Sequence, residues 1–153
     1  MAKGISTEAQ PWVAKCDRDL PRPEQTVFWI FAKNHSMSNE HAKIYAKARK
    51  GDGAGDFDPL SLDRANKTEF ADVVPKVENW GWAPEYLNSH PDVAGNCNEA
   101  GFFQKPITHA DANIFGDMIE QMSISLFNEV LDAARNQAEL EAGHPKNWEN
   151  PLS

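Results

Sequence analysis

The run Thr26-Val27-Phe28-Trp29-Ile30-Phe31-Ala32 most constrains what this chain can fold into, because so much aromatic and β-branched surface must be covered. Being almost continuously apolar, it predicts a strand with protein on both faces. It is preceded by Cys16-Asp17-Arg18-Asp19-Leu20-Pro21-Arg22-Pro23-Glu24-Gln25, where each proline biases its predecessor toward extended backbone and removes a donor. Residues 1–25 therefore read as an extended N-terminal arm carrying one large apolar group, Trp12. The strand opens a domain over residues 26–142, and residues 143–153 form a C-terminal tail with a second lone indole, Trp148.

Downstream, Ser38 is a plausible N-cap for a helix through Lys50, with Ile44, Tyr45 and Ala48 at inward spacing and Gly51 as its stop. Gly51 to Pro59 reads as an acidic glycine loop. Phe70, Val73, Val74 and Val77 repeat at helical spacing, although Pro75 must kink or end such a helix. From Gly81 to Pro106, glycine, proline and asparagine predict irregular chain with one short turn near Glu85 to Asn88. Thr108 then caps a strongly periodic segment through Ala134, one long amphipathic helix or two broken near Ser123-Ile124-Ser125. The expectation is an α+β fold: a small β-sheet packed by the 38–50 helix and the C-terminal amphipathic helices, with extended N- and C-terminal arms.

The 153 residues suit one domain, and contents of 41% hydrophobic and 25% charged residues are those of a globular chain rather than a disordered one. No apolar run reaches the roughly 18 residues of a spanning helix, and no secretory signal follows Met1, so no membrane is expected and synthesis is placed in the cytoplasm of whatever cell makes the chain. Cys16 and Cys97 belong to no CxxC pair and read as reduced thiols. A net charge of −8 opposes binding to a phosphate backbone, so the expected partners are proteins and not nucleic acid.

Chemistry is harder to find. His35 and His41 are six apart, on different faces of a helix, and no HExxH is present. The Asp52 to Asp58 loop puts Ala54, Phe57 and Asp63 where a calcium loop needs an oxygen ligand, a glycine and a glutamate. His90-Pro91-Asp92 matches the tripeptide of co-chaperone J-domains without the basic helix that should precede it. No catalytic residue, metal ligand or cofactor is assigned. Aromatic anchors dominate many interfaces, and the tryptophans are many for this length, so Trp12, Trp80, Trp82, Tyr86 and Trp148 are the candidate interface residues.

The blocks Cys16-Asp17-Arg18-Asp19-Leu20-Pro21, Glu24-Gln25-Thr26-Val27-Phe28 and Val77-Glu78-Asn79-Trp80, followed by paired amphipathic helices, resemble small proteins encoded among the head and tail structural genes of tailed bacteriophages. The resemblance implies a non-enzymatic protein of the virion, a capsid decoration or cement protein that contacts a major capsid or head-tail protein and forms a homo-oligomer. The runner-up within the same resemblance is a tail assembly chaperone. A small metal-dependent enzyme using His35, His41 and the acidic loop is the competing class.

Overall fold

A computed structural model describes residue 4 and residues 7–49 and 58–145. The chain is α+β. Among the described residues, four strands form one antiparallel sheet in sequential order: β1 (Gln10–Trp12), β2 (Val27–Ile30), β3 (Lys76–Glu78) and β4 (Ile107–Thr108). Among the described residues, seven α-helices accompany it: α1 (His35–Lys47), α2 (Pro59–Val73), α3 (Pro84–Ser89), α4 (Pro91–Ala94), α5 (Ala112–Gln121), α6 (Ile124–Arg135) and α7 (Gln137–Ala142).

The sheet's register explains the core. Trp12 pairs with Phe28, Phe28 with Val77, and Val77 with Ile107, so one row of large side chains crosses all four strands. All four are essentially solvent-free, and α6 and α7 pack onto this part of the sheet. Phe70 on α2 stacks on Phe127 of α6 at 5.0 Å and extends the core outward. On the opposite face of β2, Val27 is buried but Trp29 is not fully covered. Trp29 remains partly exposed, held by an indole N–H bond to Glu78 at 2.6 Å and by the Lys76 ammonium 4.5 Å from its ring centroid.

The N-terminal segment is not the extended arm expected of residues 1–25. Residues 10–12 are the sheet's first strand, with Pro11 at an edge where its missing N–H is tolerated. Two short 3-10 turns, Lys15–Asp17 and Arg22–Glu24, fold the following residues back. The turns are knitted to the domain by side chains: the Asp17 carboxylate accepts from the Thr26 amide at 3.1 Å, and the Gln25 amide donates to the Leu20 carbonyl at 3.1 Å. Asn79 completes this clasp, donating to the carbonyls of Pro23 at 2.8 Å and Gln25 at 3.0 Å, while the Thr26 hydroxyl donates to the carbonyl of Asn79.

Asn79 sits at φ 60°, a left-handed conformation that asparagine tolerates and alanine does not. Asn79→Ala is therefore expected to cost about 1 to 3 kcal/mol through strain and lost hydrogen bonds together. Asn79→Gly relieves the strain but not the lost bonds, so its urea midpoint should fall between those of Asn79→Ala and the parent. Equal midpoints for parent and Asn79→Ala would contradict the clasp.

Helix boundaries follow capping chemistry more than apolar spacing. The α1 helix begins earlier than expected because the Asn34 side chain, not Ser38, accepts the Met37 amide. At α2, Asp58 caps and Pro59 occupies the first turn, whereas Pro75 forces Val74 extended and puts Val77 in β3 rather than on a helix. Thr108 closes β4; the cap of α5 is Asp111, accepting from the Ile114 amide. Ser123 breaks the long periodic segment into α5 and α6 by capping α6 at the Leu126 amide. The irregular 81–106 stretch contains α3 and α4, and is tied together by bridges between Gly81 and Phe102 and between Cys97 and Phe103.

Between the helices lies a buried ionic centre. Glu69 of α2 has no exposed surface and accepts from Lys33 at 2.9 Å, from Arg135 at 2.9 Å through Nε and again through Nη2, and from the Tyr45 hydroxyl at 2.7 Å. It thereby joins the chain after β2, α1, α2 and α6.

Candidate interaction surface

The expected interface residues separate into three groups. Trp12 is wholly buried in its own domain: its indole N–H donates to the Glu139 carbonyl at 3.1 Å, and its ring meets Phe28 edge-on at 6.0 Å. It cannot anchor an arm to a neighbour while it fills this core. Trp148 lies outside the described residues. Trp80, Trp82 and Tyr86 do come together, but chiefly as packing.

Trp80 and Trp82 meet at 84° and 6.3 Å and are 7% and 4% exposed, with both indole N–H groups buried without an acceptor. Trp82 also packs edge-on against Phe103. From this base a column of parallel rings runs outward along α3: Tyr86 stacks on Trp82 at 4.3 Å, and His90 on Tyr86 at 3.9 Å. Only Tyr86 lies within α3; Trp82 just before the helix and His90 at its C-cap stack on the two faces of its ring. Tyr86 donates to the Asp117 carboxylate at 2.7 Å; burial, then that carboxylate, pushes its phenol well above the usual range and keeps it a neutral donor. Only the outer part of the column, Tyr86 and His90, reaches solvent. The column braces the 81–106 segment against α5.

A more open apolar surface lies elsewhere, where α2 faces the junction of α5 and α6. A groove of about 370 Å³ is walled by Ile119, Met122, Ile124 and Phe127 on one side and by Asn66 and Lys67 on the other. Ile124 is 81% exposed, and Leu60 at the start of α2 is 71% exposed. Ile124 is the first residue of α6 and Leu60 the second of α2. The groove's polar wall is fixed: Lys67 bonds Glu120 of α5 and, at 2.9 Å, Asp63 of α2. Those two bonds, Glu120 first, hold the ammonium above the usual lysine range, so it stays charged at the groove's edge.

Ile119, Met122 and Phe127 belong to the periodic segment expected through Ala134, and Ile124 to its expected break, but periodicity alone does not join them into a surface. The available signal was Ile124 itself, a large apolar residue between two serines at a helix start. A second pocket, also about 370 Å³, borders edge strand β4, with Phe103, Ile107 and Ile114 as its apolar wall and Asp92, Lys105 and Asp111 at its rim.

The residues weighed for metal binding are not gathered. His41 is buried with Nε2 2.9 Å from the Asp72 carboxylate, His35 is exposed at the start of α1, and Asp58 caps α2; residues 52–57 are outside the described residues. Among the described residues, no group of three or more His, Cys, Asp or Glu side chains is placed to hold a metal ion, and no helix is long and apolar enough to cross a membrane. Comparison with protein-family models, with curated proteins and with solved structures finds no match to this chain.

Proposed function

We propose that this chain is a non-enzymatic accessory protein of a tailed-bacteriophage virion, binding and stabilising a capsid or head-tail assembly through protein–protein contacts. The observation that carries the contact mechanism is the α2/α5/α6 groove, with Ile124 81% exposed at its rim. Fully burying an exposed isoleucine is worth about 1.5 to 3 kcal/mol, enough to make one such residue a focus of binding. The virion assignment draws on the three sequence blocks described above. Two links support treating them as one unit: Asn79 of the third block bonds the carbonyl of Gln25 in the second, whose Thr26 amide bonds Asp17 of the first.

Protein composition of purified particles tests the assignment. Many copies per particle fit a decoration protein, and a dozen or so fit a neck component. Absence from mature particles overturns the virion reading in favour of an assembly chaperone, for which the same groove would hold an apolar segment. Ile124→Arg tests the surface: it should weaken particle association by about tenfold or more, while the thermal midpoint of the free protein stays nearly unchanged. Undiminished association would exclude this groove.

A further inference from the structure

Two buried indoles and one partly exposed phenol stand in a chain of touching rings. The N–H groups of Trp80 and Trp82 are buried and meet no acceptor. Their rings meet edge-on at 6.3 Å, and Trp82 is stacked on Tyr86 at 4.3 Å with the two planes only 11° apart. Tyr86 is where the chain reaches solvent. Its hydroxyl donates to Asp117 Oδ2 at 2.7 Å, and His90 covers its outer face at 3.9 Å, fixed by Nδ1 donating to the Tyr86 carbonyl at 2.8 Å.

The rings differ in what each can do on losing an electron. An oxidised indole sheds its N–H proton only where an acceptor receives it, and neither Trp80 nor Trp82 has one. Each is confined to its radical cation. Burying that charge is unfavourable, which makes the oxidised indole a stronger oxidant than one free to deprotonate. A phenol, by contrast, gives up an electron readily only as its proton leaves. The Asp117 carboxylate is within the distance at which a general base takes that proton.

We propose that Trp80, Trp82 and Tyr86 form a one-electron relay that carries an oxidising equivalent out of the aromatic core to the surface. A one-electron oxidising radical takes an electron from Trp80 or Trp82, and a hole on Trp80 passes to Trp82. An electron then crosses the stack from Tyr86 to Trp82 while the phenol proton moves to Asp117. This restores the neutral indole and leaves a phenoxyl radical beside a protonated carboxyl. A soluble thiolate returns the electron and Asp117 returns the proton, so the products are the phenol, the carboxylate and a thiyl radical. The buried indoles are spared irreversible oxidation.

Laser flash photolysis of the full chain tests the relay. Light ejects electrons from the tryptophans, and nitrous oxide with tert-butanol removes those electrons and the hydroxyl radicals they yield. An indole radical-cation band should decay as a phenoxyl band grows, at a rate independent of protein concentration. Tyr86→Phe keeps the stacked ring and should abolish the growth; Asp117→Asn keeps the shape of the acceptor and should slow it about tenfold or more. Phenoxyl growth undiminished in Tyr86→Phe would belong to Tyr45, the other tyrosine of the chain. That result, no phenoxyl growth in the parent, a growth rate proportional to protein concentration, or an unchanged rate in Asp117→Asn overturns the proposal.

Discussion

Gly143→Ala is expected to destabilise the protein severely, although it adds a single methyl group. A Cβ at Gly143 would overlap the Trp12 ring at Cδ1 and Nε1, and the ring has nowhere to move. It is fixed by its bond to Glu139, by Phe28 at its edge and by complete burial, while the Val13 amide donates to the Gly143 carbonyl at 2.8 Å and pins the backbone. Either the indole leaves the core or α7 lifts from β1. Overpacking of this kind costs about 1 to 3 kcal/mol and sometimes more. Removing the ring by Trp12→Ala should cost about 3 to 5 kcal/mol through lost burial and the cavity left behind. For a chain of this size each kcal/mol lowers the thermal midpoint by about 2 to 4 °C, so both effects are large in a melting experiment. The double variant should be less destabilised than the sum of the singles, because alanine at position 12 removes the atoms that the new methyl group strikes. Additive losses, or a parent-like midpoint for Trp12→Ala, would mean that the N-terminal segment does not belong to the core.

The same contact shows why the N-terminal segment reads as an arm in sequence yet belongs to the core. Trp12 has polar neighbours and prolines around it, and local composition gives no hint of a site for the indole. Its hydrogen-bond partner is 127 residues away, and the decisive feature of that partner segment is a missing side chain at Gly143. Elements whose causes are local were legible: the apolar run of β2, the periodicity of α5 and α6, and the break at Ser123. Val77 lies on a strand despite its helical spacing. Its spacing from Phe70 and Val73 suits a helix, but Pro75 removes a donor and forces Val74 extended, so the side chain reaches the core from a strand instead. Trp80 and Trp82 are expected at an interface, yet their partners Phe28 and Phe103 come from other parts of the sheet region and bury most of their surface. The groove beside Ile124 depends on α2 lying against α5 and α6, a relation that periodicity within one helix cannot reveal.

Glu69 was equally invisible, since Lys67-Thr68-Glu69 reads as a solvated stretch of helix, and its replacement should be the most damaging single change among the charged residues. Its partners Lys33 and Arg135 lie 36 and 66 residues away. Glu69→Ala leaves the Lys33 side chain, only 8% exposed, and the inward end of Arg135 without a counter-charge, a loss of about 3 to 5 kcal/mol. Lys33→Met should cost less, because Glu69 keeps Arg135 and the Tyr45 hydroxyl. Combining Lys33→Met with Glu69→Leu should recover part of the loss of Glu69→Ala, since removing both charges also removes the cost of burying one unpaired. The pH dependence has a definite sign. Burial alone would raise the Glu69 pKa, but the hydrogen bonds from Arg135, Lys33 and Tyr45 outweigh it and hold the carboxyl at about 2, well below the ordinary range. A depressed carboxylate stabilises the fold fully above its unfolded pKa of about 4.3, and that contribution declines as pH falls toward 2. Tyr45, pushed well above the usual phenol range by burial and then by Glu69, remains a neutral donor throughout this window. Denaturant midpoints of the parent and Glu69→Gln should therefore differ most at neutral pH and converge between pH about 4 and 2. A gap that stays constant over that interval would show that Glu69 does not hold its charge inside the fold.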